Sequence, residues 1–341
     1  MKKVFQLAVL FIAVSALFAS CEKSPVEGTQ LQQRKVREAW VRINYDGKVL
    51  SETKSGLMIL EEEKGSGEAV KGSSFCFVNY SVKQLDGTYI FSTDPNIAKI
   101  NLGTYSDTSY YSPDIWRADD FIQIDGEREL LMRMKEGGKM KAIIPPELSD
   151  ITYPKEYSSY YQYSNPRYTE NMIYDISVEK VINDMPAYET SLLENYANKY
   201  WGGVDSISAN FYMVKLVERA TDTIKEGASI NVYYSGHLID GITDKYLFDT
   251  NQADTARIYR HFNRSKSYTA LTATFKTDIS EFKNNNSFVE GFSEAICRMN
   301  YGEEAIVFFS SDLGYNAEGS GEIPPYCPLA FYIRIGEEVK L

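Results

Sequence analysis

Few residues in this chain have the type and spacing to do chemistry, and their arrangement excludes more than it offers. The 2 histidines, His237 and His261, are too few and too scattered for a histidine-based metal site, and nothing matches the ligand spacings of a zinc centre. No glycine-rich phosphate loop or GxSxG nucleophile elbow occurs in a strand–turn–helix setting, so neither nucleotide binding nor hydrolase chemistry starts there. A net charge of −11 without a basic stripe excludes nucleic acid as a partner. One carboxylate stands in apolar company: Asp249 directly follows Phe248 in the run LFDT. Core packing explains little about such a residue, because a buried carboxylate is costly. Asp249 is therefore the leading candidate for function. The chain is also rich in aromatics, with 26 Tyr and 17 Phe in 341 residues, a loading that suits half-buried sheets and concave apolar sites.

The elements that must position such a residue emerge from the chain's internal repetition. FVNYSVKQLDG (77–87) aligns with VYYSGHLIDG (232–241), pairing Tyr80 with Tyr234 and Gly87 with Gly241 at an offset of 154. Phe91 then pairs with Phe248 at 157, and Gly126, Met134 and Gly137 pair with Gly291, Met299 and Gly302 at 165. The offset grows in one direction, as loop insertions make it do. Each copy opens with a helical segment, about 33–42 and about 187–200, the second marked by Leu192, Leu193, Tyr196 and Tyr200 at helical spacing after Pro186. Alternating strands follow, with Asp-Gly turns at 86–87 and 240–241 and a short helix after Gly126 and Gly291. Strand-dominated copies with one recurring short helix predict an α+β fold with an antiparallel sheet in each copy.

Ahead of the copies lies a targeting segment. Lys2 and Lys3 precede an apolar run, Val4 to Phe18, which has the length of a secretion signal and is short for a membrane span. Ala19 and Ser20 then precede Cys21, resembling the bacterial lipobox, although Phe18 sits where Leu is preferred. Residues 1–20 are thus read as a lipoprotein signal peptide, Cys21 as the lipidated residue, and 21–32 as a polar tether. The expected location is the cell envelope, lipid-anchored at the outer membrane on its periplasmic or surface face. The remaining cysteines, Cys76, Cys297 and Cys327, are odd in number, which leaves a Cys297–Cys327 bridge and buried free thiols both open.

The second copy reads VYYSG, D-G, LFDT, FVEGFSEAICRM and LGYNAEGSGEIPPYCPLAFYIRI in that order. Over about 210–338 it resembles the FK506-binding protein (FKBP) family of peptidyl-prolyl cis-trans isomerases. With the lipobox, the chain resembles a tandem FKBP-like lipoprotein of a Bacteroides-type bacterium. The resemblance implies two tandem FKBP-like domains, 33–183 and 184–341, each a curved antiparallel sheet wrapped on one short helix. It also implies a shallow apolar pocket between helix and sheet, no cofactor and no metal, and proline-containing polypeptides as partners. Carried over residue by residue, the catalytic positions are Asp249, Tyr315 and Phe248. The substrate-binding positions are Tyr234, Phe288, Val289, Phe292, Ile323 and Phe331. Phe292 stands where the family has a pocket-floor Trp, and Asn316 replaces the Gly of the Tyr-Gly loop.

The chemistry so implied needs no nucleophile or base. Rotation about an Xaa-Pro bond is opposed by about 18–20 kcal/mol of lost amide resonance. An apolar pocket that removes the imide from water and binds the twisted form lowers that barrier. Between Asp249 and Phe288 lie 38 residues, about twice the family's usual spacing. The insert contains the basic run RIYRHFNRSKSY (257–268), read either as a flap beside the pocket or as a solvated loop. In the first copy Ser92 replaces the Asp, Glu127 replaces the floor aromatic, and a Tyr-rich loop (151–168) precedes a remnant of the IPP block. An unfavourable carboxylate at the base of an apolar pocket points to a folded, inactive copy. Three functions stay open: a folding helper for exported proteins whose second copy isomerises, a non-catalytic FKBP-like binding or scaffold lipoprotein, and a surface component of a larger envelope assembly that docks through the Tyr-rich loop. A pocket filled by the insert would favour the second.

Overall fold

The computed structural model describes residues 25–103, 105–119, 123–150, 168–219, 223–241 and 246–337. The signal segment, Cys21 and residues 151–167 of the Tyr-rich loop lie outside the described residues. The chain divides into two compact units. The first comprises 1–73, 78–102 and 116–181; the second comprises 74–77, 103–115 and 182–341.

The first unit opens with helix α1 (Pro25–Asn44). It starts at Pro25, so residues 25–32, expected as tether, are helical. Strands β1 (Ser51–Glu52), β2 (Met58–Glu63), β3 (Phe75–Gln84) and β4 (Tyr89–Ser92) follow, then β5 (Asp114–Trp116). The short helix α2 (Asp125–Leu131) precedes β6 (Lys139–Ile144) and β7 (Met172–Ile182). The sheet order is β1-β2-β6-β7-β3-β4, with β5 on β3. Asp-Gly makes the β3–β4 turn: Gly87 takes φ +93° and the Asp86 carboxylate accepts the Thr88 amide at 2.9 Å.

The second unit opens with helix α3 (Met185–Trp201). Asp184 caps it by accepting the Ala187 amide, Pro186 sits in its first turn, and Gly202 ends it at φ +70°. Strands β8 (Phe211–Val217), β9 (Ser229–Leu238) and β10 (Leu247–Thr250) come next. Then follow α4 (Ala253–Ile258), β11 (Leu271–Thr274), α5 (Ile279–Asn286), α6 (Glu290–Cys297), β12 (Glu304–Phe309) and β13 (Leu329–Ile335). The sheet order is β8-β12-β13-β9-β10, with β11 on β9. This repeats the first sheet strand for strand from β2 onward, down to the extra strand on the long central one. Both sheets are antiparallel. The α+β class with two copies of one sheet-and-helix plan is therefore the fold of this chain.

The second core lies between α6 and the sheet, around Phe211, Phe282, Phe309, Leu329 and Ile333, all fully buried. The glycine at the second position of each short helix allows the close approach. A Cβ on Gly291 would stand 2.5 Å from the Phe309 ring, and one on Gly126 would stand 2.5 Å from Ile144. The repeated glycines are thus packing sites, where the helix sits directly on its strand. Cys76, Cys297 and Cys327 are free thiols; burial pushes Cys76 up to about 12 and Cys297 to about 11. Among the described residues, no helix is long and apolar enough to cross a membrane.

Candidate active site

A cavity of about 330 Å³ opens between α6 and the second sheet. Tyr234, Phe248, Asp249, Phe288, Val289, Phe292, Tyr315 and Phe331 line it, together with Leu271 and Ser287. They arrive from five separate segments of the chain. β9 carries Tyr234, β10 carries Phe248 and Asp249, and α6 with its preceding residues carries Phe288, Val289 and Phe292. The loop after β12 supplies Tyr315, and β13 supplies Phe331. Phe292 forms the floor, with ring centroids 5.1 Å from Phe331, 5.5 Å from Phe288 and 5.6 Å from Tyr234. Tilted and edge-on contacts of this kind fix ring orientation beyond simple apolar burial. Gly236, the glycine of YSG, leaves room for these rings: a Cβ there would stand 2.4 Å from the Phe248 ring.

Among the described residues, Asp249 is the one carboxylate on the lining, and its side chain is 39% exposed. Its position at the lip avoids the cost of full burial that made it conspicuous in the sequence. Tyr234 Oη donates to Oδ2 at 2.6 Å and the Thr250 amide donates to Oδ1 at 2.9 Å. Lys266 Nζ ion-pairs with Oδ1. Burial raises the Tyr234 phenol above its usual value, reinforced by the Asp249 bond; burial likewise raises Tyr315, with the Asp249 charge adding to it. Both phenols therefore remain protonated donors at neutral pH. Asn316, which stands where the family has Gly, adopts φ +47°, a conformation Asn tolerates better than most side chains. Among the described residues, no group of three His, Cys, Asp or Glu could hold a metal ion.

Ile323 departs from expectation. It is 5% exposed and packs into the core, and it does not line the cavity. The backbone bridge between Ser320 and Ile323, with N–O distances of 2.9 Å both ways, holds this position in the loop. Three contributors were missed from sequence: Lys266, Leu271 and Ser287, all from the insert. The insert is structured. It builds α4, pairs β11 with β9 from Leu271↔Val232 to Thr274↔Ser229, and ends α5 at Ser287 in the left-handed region, φ +59°. It forms part of the cavity wall without filling the cavity. The basic run that drew attention to it carries Lys266, but the run alone did not say which cation meets Asp249.

The first unit arranges the equivalent positions differently. Glu127 is fully buried, yet Tyr174 Oη donates to its Oε1 at 2.9 Å and the Ile124 amide to its Oε2 at 3.3 Å. Tyr174 pairs with Ala142 in the register where Phe331 pairs with Val307. The apolar Phe292–Phe331 contact is thus exchanged for a hydrogen-bonded Glu127–Tyr174 contact. The expected penalty for a carboxylate at this position is offset by its partners. Trp116, 3% exposed, lies edge-on to Tyr80 at 4.6 Å, and Phe91 lies 4.9 Å from the same ring. Ser92 is buried where Asp249 stands at the lip.

Solved structures similar to parts of the chain include the following three. The three FKBP domains of wheat FKBP73 share 17% identity over 84% of this chain and 97% of that one, with a TM-score of 0.28. A peptidyl-prolyl cis-trans isomerase from Pseudomonas syringae pv. tomato shares 22% over 45% and 91%, with a TM-score of 0.31. FkpA from Escherichia coli shares 25% over 53% and 72%, with a TM-score of 0.32. A search of curated proteins gave no match. Residues 220–335, which contain every lining residue named above, match the family model of FKBP-type peptidyl-prolyl cis-trans isomerases.

Proposed function

We propose that the second unit is a peptidyl-prolyl cis-trans isomerase that assists the folding of exported proteins, and that the first unit has no turnover of its own. The observation that carries this reading is the convergence of eight residues from five separate segments on one open apolar cavity with a carboxylate at its lip. Phe248, Phe292 and Phe331 grip the proline ring and exclude water from the imide, which disfavours the resonance-polar planar form. The Tyr315 phenol donates to a substrate carbonyl. Asp249, held by Tyr234, faces the twisting imide from the edge. These contacts stabilise the twisted geometry more than either planar isomer, which is the condition for acceleration. The open cavity favours catalysis over the purely scaffolding alternative. The inactive reading of the first unit is supported by Glu127 at the position of Phe292 and by Trp116 packed edge-on against Tyr80, the counterpart of Tyr234. Lipidation of Cys21 would hold both units at the cell envelope, where newly exported chains fold.

The test is an isomerase assay on an Xaa-Pro peptide with the purified mature chain. Wild type accelerates the exchange, whereas Asp249→Ala and Phe292→Ala reduce it at least tenfold while remaining folded. An FK506-type ligand that left the wild-type rate unchanged would overturn the pocket assignment.

A further inference from the structure

The helix that opens the second unit carries a buried carboxylate that the chemistry above does not use. Glu189, in the second turn of α3, is 5% exposed. Both of its oxygens are spent on one residue: Oε2 accepts the Ser311 amide and Oε1 accepts the Ser311 hydroxyl, each at 2.7 Å. Ser311 is 2% exposed and begins the helical turn Ser311–Leu313 that leads from β12 into the Tyr315 loop. Its carbonyl then accepts the amides on both sides of Tyr315, Gly314 at 2.9 Å and Asn316 at 2.8 Å. The far side of the loop is closed by Tyr326, whose amide donates to the Asn316 carbonyl at 2.7 Å. The backbone of Tyr315 is therefore tied through one residue to a carboxylate on α3.

Burial of a carboxylate is costly unless strong hydrogen bonds offset it. Burial pushes the Glu189 carboxyl above its usual value, and the two Ser311 bonds act against that. An apolar residue at this point of α3 would pack on the sheet without that cost, so the carboxylate's distinctive contribution is geometric. The first unit has a counterpart in which the helix carries a cation instead of a carboxylate. Arg37 on α1, 3% exposed, pairs with Glu147 at 3.1 Å. Glu147 lies in the turn Pro146–Leu148, which follows β6 as the Ser311 turn follows β12. Both units thus tie their leading helix to the same turn by a polar contact, using different residues.

We propose that Glu189 is a positioning residue for Tyr315, and that α3 is a strut that holds the donor-bearing loop in place through Ser311. The inference rests on the isomerase reading of the cavity for its catalytic consequence, but the strut itself is measurable without turnover.

The test combines a double-mutant cycle with amide exchange on the full mature chain. Glu189→Ala is expected to lower kcat/KM for an Xaa-Pro peptide about tenfold. In a Tyr315→Phe background it is expected to lower it less than twofold further, because the donor it positions is already gone. Glu189→Gln, which keeps an acceptor for the Ser311 amide, is expected to recover most of the loss. The Gly314 and Asn316 amides are expected to exchange at least tenfold faster in Glu189→Ala, with the β9–β13 ladder unchanged. Ser311→Ala gives the same pattern more weakly and serves if Glu189→Ala does not fold. Equal losses in the wild-type and Tyr315→Phe backgrounds would overturn the proposal, as would faster exchange spread evenly over the β9–β13 ladder. If the wild-type chain has no isomerase activity, the isomerase reading fails, and the exchange pattern alone decides the strut.

Discussion

The exchange of Phe292–Phe331 for Glu127–Tyr174 between the two units predicts that the first unit's solution can be transplanted into the second. Phe292→Glu alone removes a floor ring that touches three other aromatics and places a carboxylate in apolar surroundings. Truncations of buried Phe cost about 3–5 kcal/mol; the Glu stem restores part of that, and desolvation of the charge adds to it, for a net of about 4 kcal/mol. Phe331→Tyr alone adds a phenol with no carboxylate to meet and costs about 1 kcal/mol. Together, the phenol meets the carboxylate as Tyr174 meets Glu127 at 2.9 Å. A hydrogen bond to a charged group contributes about 1.5–3 kcal/mol, so the double mutant should be more stable than the sum of the singles by that amount. Four urea unfolding curves measure this, with β13 amide exchange assigning the transition to the second unit. At a slope of about 2 kcal/mol per M, the recovery moves the midpoint by about 1 M. A coupling below about 0.5 kcal/mol would refute the compensated-exchange reasoning. Isomerase activity should be lost in Phe292→Glu and stay lost in the double mutant, because stability returns without the apolar floor.

Three further outcomes follow from the geometry. Gly236→Ala should displace the Phe248 and Phe331 rings, which a Cβ would meet at 2.4 and 2.8 Å, lowering peptide affinity at least fivefold; titration of a peptide ligand checks it. Lys266→Met removes a partly exposed partner of Asp249, so kcat/KM should fall about two- to fivefold and its salt dependence should flatten, as assays across ionic strength would show. Burial alone would raise the Glu303 carboxyl, but the amides of Arg219 at 3.0 Å and Asn300 at 2.9 Å and the Lys215 ammonium at 2.8 Å outweigh it and hold it below its usual value. A lowered folded value means that Glu303 stabilises the fold above the ordinary carboxylate range and that this is lost as pH falls through the lowered value. Glu303→Gln should therefore cost about 2 kcal/mol at pH 7 and make the acid limb of the stability curve shallower below about pH 4.5.

The duplication was legible because it is written in short-range signals. The Asp-Gly turns, the alternating strands and the glycine under each short helix recur in order, and each carries a local cause: a positive φ at Gly87, a close approach at Gly126 and Gly291. The cavity was legible to the extent that its residues sit in recognisable blocks such as LFDT and FVEGF. What sequence could not resolve depends on long-range pairing. Glu127 looked unfavourable because its partner, Tyr174, lies 47 residues away and meets it only through the strand register. Lys266 was one cation among several in a basic insert until the fold brought it to Asp249. Ile323 belongs to a recognisable block, yet the backbone bridge that holds it in the core is invisible in its neighbours. Glu189 carried no signal at all, since a Glu in a helix is normally solvated.

The measurement that bears most directly on the central claim is the rate of cis–trans exchange of an Xaa-Pro peptide with the mature chain, compared with Asp249→Ala. The account predicts acceleration by wild type that is at least tenfold weaker in Asp249→Ala at unchanged fold. A folded wild-type chain giving no rate above the uncatalysed background would contradict it.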